Sequence, residues 1–212
     1  MKRCVIISAG EIKKIKLIKK YLSPEDYYVF CDAGLVYADK LGIKPDLIIG
    51  DFDSCKKNIL NKYSGICETI QLPCEKDDTD TLFAVKTAMQ RGYKNFLLLG
   101  SMGARFDHAA ANVSILFYLY KNNLQAEIID AYSIMQVAGK TPVFIDDSFS
   151  YFSVLTPFGD AEGVTIINAK YPLTNAKLSS DYQSLGVSNE VIKTKTAEVT
   201  CGKGCCLVCK IF

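Results

Sequence analysis

Leu47-Ile48-Ile49-Gly50-Asp51-Phe52-Asp53-Ser54 is the stretch on which the reading of the chain turns. Its apolar run is short enough to be a buried strand. Gly50 permits a sharp turn where the strand ends. Asp51 and Asp53 are two residues apart, so an extended backbone points both to one side. That side falls at the carboxyl end of a strand, where open α/β sheets place their ligands. Two carboxylates about 4 Å apart repel by roughly 4 kcal/mol at an effective dielectric of 20. A cation removes that penalty, and hard oxygen donors of this kind suit Mg²⁺ in company with phosphates. The same residues also fit a plain helix start, with Asp53 or Ser54 as cap and Asp51 in a solvated turn. The choice rests on what lies on either side.

Outward from this stretch, strand and helix signals alternate up to about residue 130. Strands are expected at 4–8, 27–31, 47–50, 68–72, 95–100 and 126–129, with helices at 11–21, 35–41, 54–62, 79–91 and 108–122. Such alternation means βαβ units and a mostly parallel sheet. Leu82, Val85, Ala88 and Met89 recur at helical spacing, and Gly92 stands where a helix would stop. The start of that helix, Lys76-Asp77-Asp78-Thr79-Asp80-Thr81, is a second acidic cluster. One cap satisfies a helix, and the carboxylates here exceed that need. Asp80 facing the Asp51/Asp53 turn completes an acidic pocket for metal, and Lys76 is placed to meet a phosphate.

The strand Phe96-Leu97-Leu98-Leu99 runs into Gly100-Ser101-Met102-Gly103-Ala104-Arg105-Phe106-Asp107-His108. The glycines allow a tight loop whose amides approach phosphate. Arg105 can grip phosphate oxygens with two parallel bonds. Asp107 is the expected N-cap of the next helix. His108 is the only histidine, and a structural role at a helix start outweighs a chemical one for it.

After about residue 130 helical periodicity fades. Strands are expected at 131–137, 142–145, 151–156, 163–167, 176–178, 190–195, 197–201 and 205–212, divided by Gly, Pro and Asp turns. The expected fold class is therefore an α/β N-terminal domain, residues 1–130, with a mostly parallel sheet flanked by helices. An all-β sandwich C-terminal domain follows at 131–212.

Composition narrows the function classes. A chain of 212 residues with net charge +2 gives no electrostatic case for nucleic acid or for an anionic membrane. Lys14, Lys16, Lys19 and Lys20 read as a solvated helix face. The first apolar run is too short for a signal peptide, and no segment is long enough to span a bilayer. Nine cysteines without such a signal suggest reduced thiols and a cytoplasmic protein. Cys201, Cys205, Cys206 and Cys209 cluster, but they fit a packed closing strand better than the paired knuckles of a zinc site.

Together these motifs resemble the thiamin pyrophosphokinase family, also called thiamine diphosphokinase. The resemblance rests on Asp32-Ala33-Gly34, Pro45-Asp46, Gly50 through Ser54, Lys76 through Asp80, and Gly100 through Gly103 with Arg105, Asp107, His108 and Asn112. Tyr171-Pro172-Leu173 and Gly186 through Glu190 extend it into the second domain. It implies a homodimer with active sites between subunits, an N-terminal nucleotide-binding catalytic domain and a C-terminal thiamine-binding domain. The reaction implied moves the terminal diphosphate of ATP to the hydroxyethyl group of thiamine, giving thiamine diphosphate and AMP. By motif match Asp32, Asp51, Asp53 and Asp80 are the Mg²⁺-linked set, with Asp51, Asp53 and Asp80 catalytic. Thr79, Arg105 and Asp107 lie around the nucleotide, and Ser188 and Asn189 near thiamine. Two departures stand out. Ala33 replaces the first glycine of the usual Asp-Gly-Gly, and the chain has no Trp to stack on thiamine.

The chemistry agrees with the resemblance. Phosphoryl-type transfer asks a protein for positioning and charge neutralisation. Arg105 suits developing charge on phosphate, and Asp53 or Asp80 suits the proton of the substrate hydroxyl. A diphosphokinase for another alcohol, such as a pterin precursor, is the alternative enzyme. A nucleotide or thiamine diphosphate sensor is the non-catalytic one, disfavoured because a polyanion sensor gains little from a negative pocket without metal.

Overall fold

The computed structural model describes residues 2–212. They form two compact units, the first running to Ala131 and the second spanning Tyr132–Phe212.

In the first unit β1 (Cys4–Ile7), α1 (Ile15–Ile18), β2 (Tyr27–Cys31), α2 (Tyr37–Leu41) and β3 (Leu47–Gly50) follow one another. Then come α3 (Lys57–Tyr63), β4 (Glu68–Gln71), α4 (Asp80–Gln90), β5 (Asn95–Leu99), α5 (Phe106–Lys121) and β6 (Gln125–Ile129). The strands lie in the order β4-β3-β2-β1-β5-β6, and every pairing is parallel. β1 and β3 are buried along their whole length, as parallel strands covered on both faces must be. The chain winds outward from β1 through β2, β3 and β4, then returns to the other side of β1 for β5. That reversal between β1 and β5 is a topological switch point, where the loops after adjacent strands part and leave a crevice.

α4 has the clearest ends. The Thr79 hydroxyl accepts from Leu82 N–H at 3.3 Å, capping its start. At its finish Gly92 has φ 88°, with Gly92 N–H bonded to Met89 O and Tyr93 N–H to Ala88 O, a Schellman stop.

The helix expected at 11–21 is cut down to α1 and a 3₁₀ turn at Lys19–Tyr21. Lys14 takes a left-handed φ of 48° with no side-chain cap, and Ile12 N–H donates to Tyr37 Oη instead of starting a helix. The helix expected at 35–41 begins early, as a 3₁₀ turn over Asp32–Val36 that leads into α2. Ser54 does not cap α3, which starts from Lys56 without a side-chain bond.

The second unit contains β7 (Ser133–Ala138), β8 (Val143–Asp146), β9 (Tyr151–Leu155), β10 (Ala161–Ile167), β11 (Leu173–Leu178), β12 (Thr196–Thr200) and β13 (Cys206–Ile211). β13 pairs antiparallel with β7 and β9. β11, β10, β12 and β8 form an antiparallel sheet in that order. Phe152, Val154, Cys206 and Val208 from the first layer share a core with Val143, Ile145, Val164, Ile166, Ala197 and Val199 from the second. Alternate residues of β8, β9 and β12 are buried, the period-two pattern of a sandwich.

No strand forms at 190–195. Thr194 has φ 65°, its N–H bonds to Asp147 Oδ2 at 2.8 Å, and Lys195 N–H closes a turn onto Ile192 O. Cys201 and Cys206 fill the sandwich core as small apolar groups, and burial pushes the Cys206 thiol well up.

Candidate active site

The switch point holds a cleft of about 690 Å³ in the first unit. Its walls come from the carboxyl ends of neighbouring strands. Ser8, Ala9 and Gly10 follow β1, Asp32 follows β2, and Gly100, Ser101 and Gly103 through Arg105 follow β5. Thr79, Asp80 and Thr81 open α4 at its rim.

These backbones meet so closely that side chains are excluded. A Cβ on Gly100 would lie 2.4 Å from Ser8 O, and Gly100 also holds φ 62°. A Cβ on Gly50 would meet Asp32 Cα and Cβ at 3.1 Å. Gly50 is thus favoured by the close passage of Asp32, not by a turn of its own. Ala33 has no positive φ, so its methyl is accommodated. The glycine that cannot change there is Gly34, whose Cβ would fall 2.5 Å from Ile7 O.

Asp32, Asp51 and Asp80 come together from three elements, each offering an oxygen within 4.8 Å of the others. At that spacing each pair of ionised groups repels by roughly 3–4 kcal/mol at an effective dielectric of 20. Asp32 is 6% exposed. Its Oδ2 accepts from Ser54 Oγ, while its Oδ1 is buried without a hydrogen-bond partner. Lys76 Nζ donates to Asp51 Oδ2 at 3.0 Å and to Pro73 O at 3.3 Å. It also stands 3.0 Å from Asp80 Oδ1, without the alignment of a hydrogen bond.

Lys76 holds the Asp51 carboxyl below its usual range. Burial raises Asp80, more than Lys76 can offset. Burial also works against the Lys76 ammonium, but its hydrogen bond to Asp51 and the nearby Asp80 charge win and keep it above the ordinary lysine value.

Asp53 does not join the group. Phe52 adopts φ 63°, which breaks the alternation an extended chain would have kept. Asp53 is exposed, and its N–H turns back to Asp51 Oδ1 at 3.3 Å.

Arg105 and Asp107 line the opposite rim of the cleft. Their guanidinium and carboxylate meet through Nε–Oδ1 at 3.2 Å and Nη2–Oδ2 at 2.6 Å. Both side chains are mostly exposed, 70% and 63%, so the pair adds little stability. Asp107 is not the cap of α5. Arg105 stands at the N-cap without a side-chain bond, and Asp107 lies in the first turn. His108 lies on the same rim.

Beneath the cleft runs a buried hydroxyl chain that the sequence reading passed over. Ser8 Oγ bonds Thr81 Oγ1 at 2.8 Å and reaches Ser101 Oγ at 3.5 Å. Asn112 Nδ2 donates to Ser101 O at 2.9 Å. The chain ties the ends of β1 and β5 to the first turn of α4 and to α5. Its only sequence signal is small polar residues at two strand ends and a helix start.

Ser188 and Asn189 belong to the second unit. Ser188 is exposed with φ 59°, and its N–H donates to Ser153 Oγ at 3.1 Å. Asn189 is 5% exposed. Its Oδ1 accepts from Tyr171 N–H at 3.0 Å and Glu190 N–H at 2.9 Å, and its Nδ2 donates to Tyr171 O at 2.7 Å.

Residues 18–128 match the family described as thiamin pyrophosphokinase, catalytic domain. Residues 145–206 match the one described as thiamin pyrophosphokinase, vitamin B1 binding domain. A thiamine pyrophosphokinase of Bacillus subtilis (strain 168) is 26% identical over 198 residues, covering 92% of each chain. The fold is that of a solved thiamine pyrophosphokinase structure from Bacillus subtilis, with TM-score 0.87, 24% identity and 99% of each chain covered. A solved thiamin pyrophosphokinase from Geobacillus thermodenitrificans gives 0.82 at 24% identity, over 100% of this chain and 98% of that one.

Proposed function

The chain belongs to the thiamin pyrophosphokinase family, and from that premise we propose that Asp32, Asp51 and Asp80 hold a Mg²⁺ ion shared with the phosphates of ATP. The protein is an ATP-dependent diphosphotransferase that converts thiamine to thiamine diphosphate. The match runs through both halves of the chain and favours neither another alcohol acceptor nor a sensor.

The observation that carries the metal reading is the buried, unpartnered Asp32 Oδ1 among three converging carboxylates. A buried anion without a partner is costly unless something positive sits beside it. Three hard oxygen donors suit Mg²⁺, which keeps the rest of its shell for water and phosphate. When bound, the ion supplies charge neutralisation and polarises phosphate oxygens.

The chain's own residues do the remaining work. The loop after β5 lines the cleft, and its backbone amides serve to bind phosphate oxygens. Arg105 leaves its pair with Asp107 to grip the triphosphate, and Lys76 meets a phosphate from the other side. Thr79 and Asp107 flank the nucleotide. Asp80 is engaged in the carboxylate group, which leaves Asp53 to accept the proton of the thiamine hydroxyl. Ser188 and Asn189 belong to the thiamine-binding domain, Ser188 as a contact and Asn189 as the residue that fixes the Tyr171 loop. We further propose a cytoplasmic homodimer with active sites shared between subunits. No helix among the described residues is long and apolar enough to cross a membrane.

The test is a coupled assay with ATP, Mg²⁺ and thiamine in which AMP and thiamine diphosphate are both quantified. Equal amounts are expected, abolished by a chelator and restored by Mg²⁺. Full turnover in the presence of excess chelator would sink the metal reading.

A further inference from the structure

We infer that Lys76 is a built-in counter-ion, occupying the cation seat of Asp51 and Asp80 in the metal-free protein and leaving it when a divalent ion binds. The inference rests on the metal reading above. Its own evidence is where the ammonium sits. Lys76 Nζ is 3.0 Å from Asp51 Oδ2 and 3.0 Å from Asp80 Oδ1, and both oxygens belong to carboxylates of the three-membered group. The side chain is only 16% exposed, so it is drawn inward and not left trailing in solvent. An ammonium and a divalent ion cannot share those oxygens, because like charges repel strongly at such range.

Asp32 is treated differently. It takes Ser54 on Oδ2, and its Oδ1 has no partner. Lys76 therefore bridges two of the carboxylates, offsetting one unit of their charge, and leaves the third open. The group is kept assembled without metal, and one donor is ready to receive it. The lysine stem is flexible, with a compact charge at its tip, so the head can swing without moving the backbone. Arginine there would keep the charge but not the compact shape. Displacement frees Lys76 for the phosphates that arrive with the ion, which makes metal and nucleotide capture mutually supportive.

Two measurements on the full chain without nucleotide test this, both using Mn²⁺ as probe. The first is Mn²⁺ affinity by electron paramagnetic resonance. Lys76→Met should bind Mn²⁺ at least about tenfold tighter than the parent, since no internal cation competes. Lys76→Arg should bind no tighter. A Lys76→Met affinity equal to or below the parent's, with Asp51→Asn still losing binding, overturns the inference and leaves the metal reading standing. Mn²⁺ binding indifferent to Asp51→Asn overturns both. The second measurement needs no variant. Amine acetylation read by mass spectrometry should show Lys76 shielded in the free protein and several-fold more reactive at saturating Mn²⁺. Labelling that stays level or falls on adding Mn²⁺ refutes the displacement.

Discussion

Asp51 and Asp80 share one ammonium, with Lys76 Nζ 3.0 Å from an oxygen of each, yet their carboxyls shift in opposite directions. Asp51 is lowered, first by the hydrogen bond from Lys76. Asp80 is raised, first by burial. A lowered carboxyl adds stability above its unfolded value, which is lost as pH falls through the folded one. A raised carboxyl does the reverse, imposing a cost that is relieved as pH falls through the raised value.

Asp80→Asn should therefore stabilise the metal-free protein at neutral pH while abolishing turnover. A gain of up to about 1 kcal/mol is expected, or about 2–4 °C in melting temperature. The advantage over the parent should shrink as pH falls through the raised Asp80 value, where the parent is itself neutralised. Thermal melts at stepped pH check this. A variant less stable than the parent at pH 7 would mean that the Lys76 attraction outweighs burial.

Asp51→Asn separates chemistry from fold. The side chain keeps its size and can still accept from Asp53 N–H. What goes is the charge facing Lys76 and the proposed ion. Turnover should fall on the order of 10²-fold or more, with the melting temperature within a few degrees of the parent. Near-normal kcat in a folded variant would remove Asp51 from the metal set.

Gly50→Ala tests whether backbone approach places Asp32. The added Cβ would sit 3.1 Å from Asp32 Cα and Cβ, tight enough to push the residue by a few tenths of an ångström. Small displacements of a charged ligand cost far more in function than in fold. Mn²⁺ affinity and kcat should both drop about tenfold or more, with a stability loss of about 1–2 kcal/mol. Unchanged Mn²⁺ affinity would show that Asp32 is not positioned through this contact.

The parallel sheet is legible because β2 and β3 are short, apolar runs bounded by turn residues that mark their limits. α4 was legible through its Thr79 cap and Gly92 stop. Asp53 was misplaced for a specific reason. Period-two alternation assumes extended backbone, and nothing in Gly50-Asp51-Phe52-Asp53 announces a left-handed phenylalanine. The 11–21 helix failed similarly, since apolar spacing cannot reveal that Lys14 leaves the helical region. The hydroxyls of Ser8, Thr81 and Ser101 are far apart in the chain and become a network only when the switch point joins β1 to β5. The 190–195 strand had the composition of a strand, but Asp147 captures Thr194 and turns the chain.

The family resemblance places Asn189 near thiamine, and its surroundings give it a definite structural task. All three of its side-chain bonds go to backbone groups of Tyr171 and Glu190, and its own backbone exchanges two bonds with Phe152. Asn189→Ala would leave those peptide groups unpaired, at a cost of about 1–3 kcal/mol and several degrees of melting temperature. The KM for thiamine should rise while the KM for ATP holds, because the Tyr171 loop is loosened in the thiamine-binding domain. Asn189→Asp keeps the acceptor but turns the donor into a buried carboxylate oxygen facing Tyr171 O, so it should also lower the melting temperature and raise the thiamine KM. If alanine raises the thiamine KM with no change in melting temperature, Asn189 acts by touching the substrate and not by holding the loop.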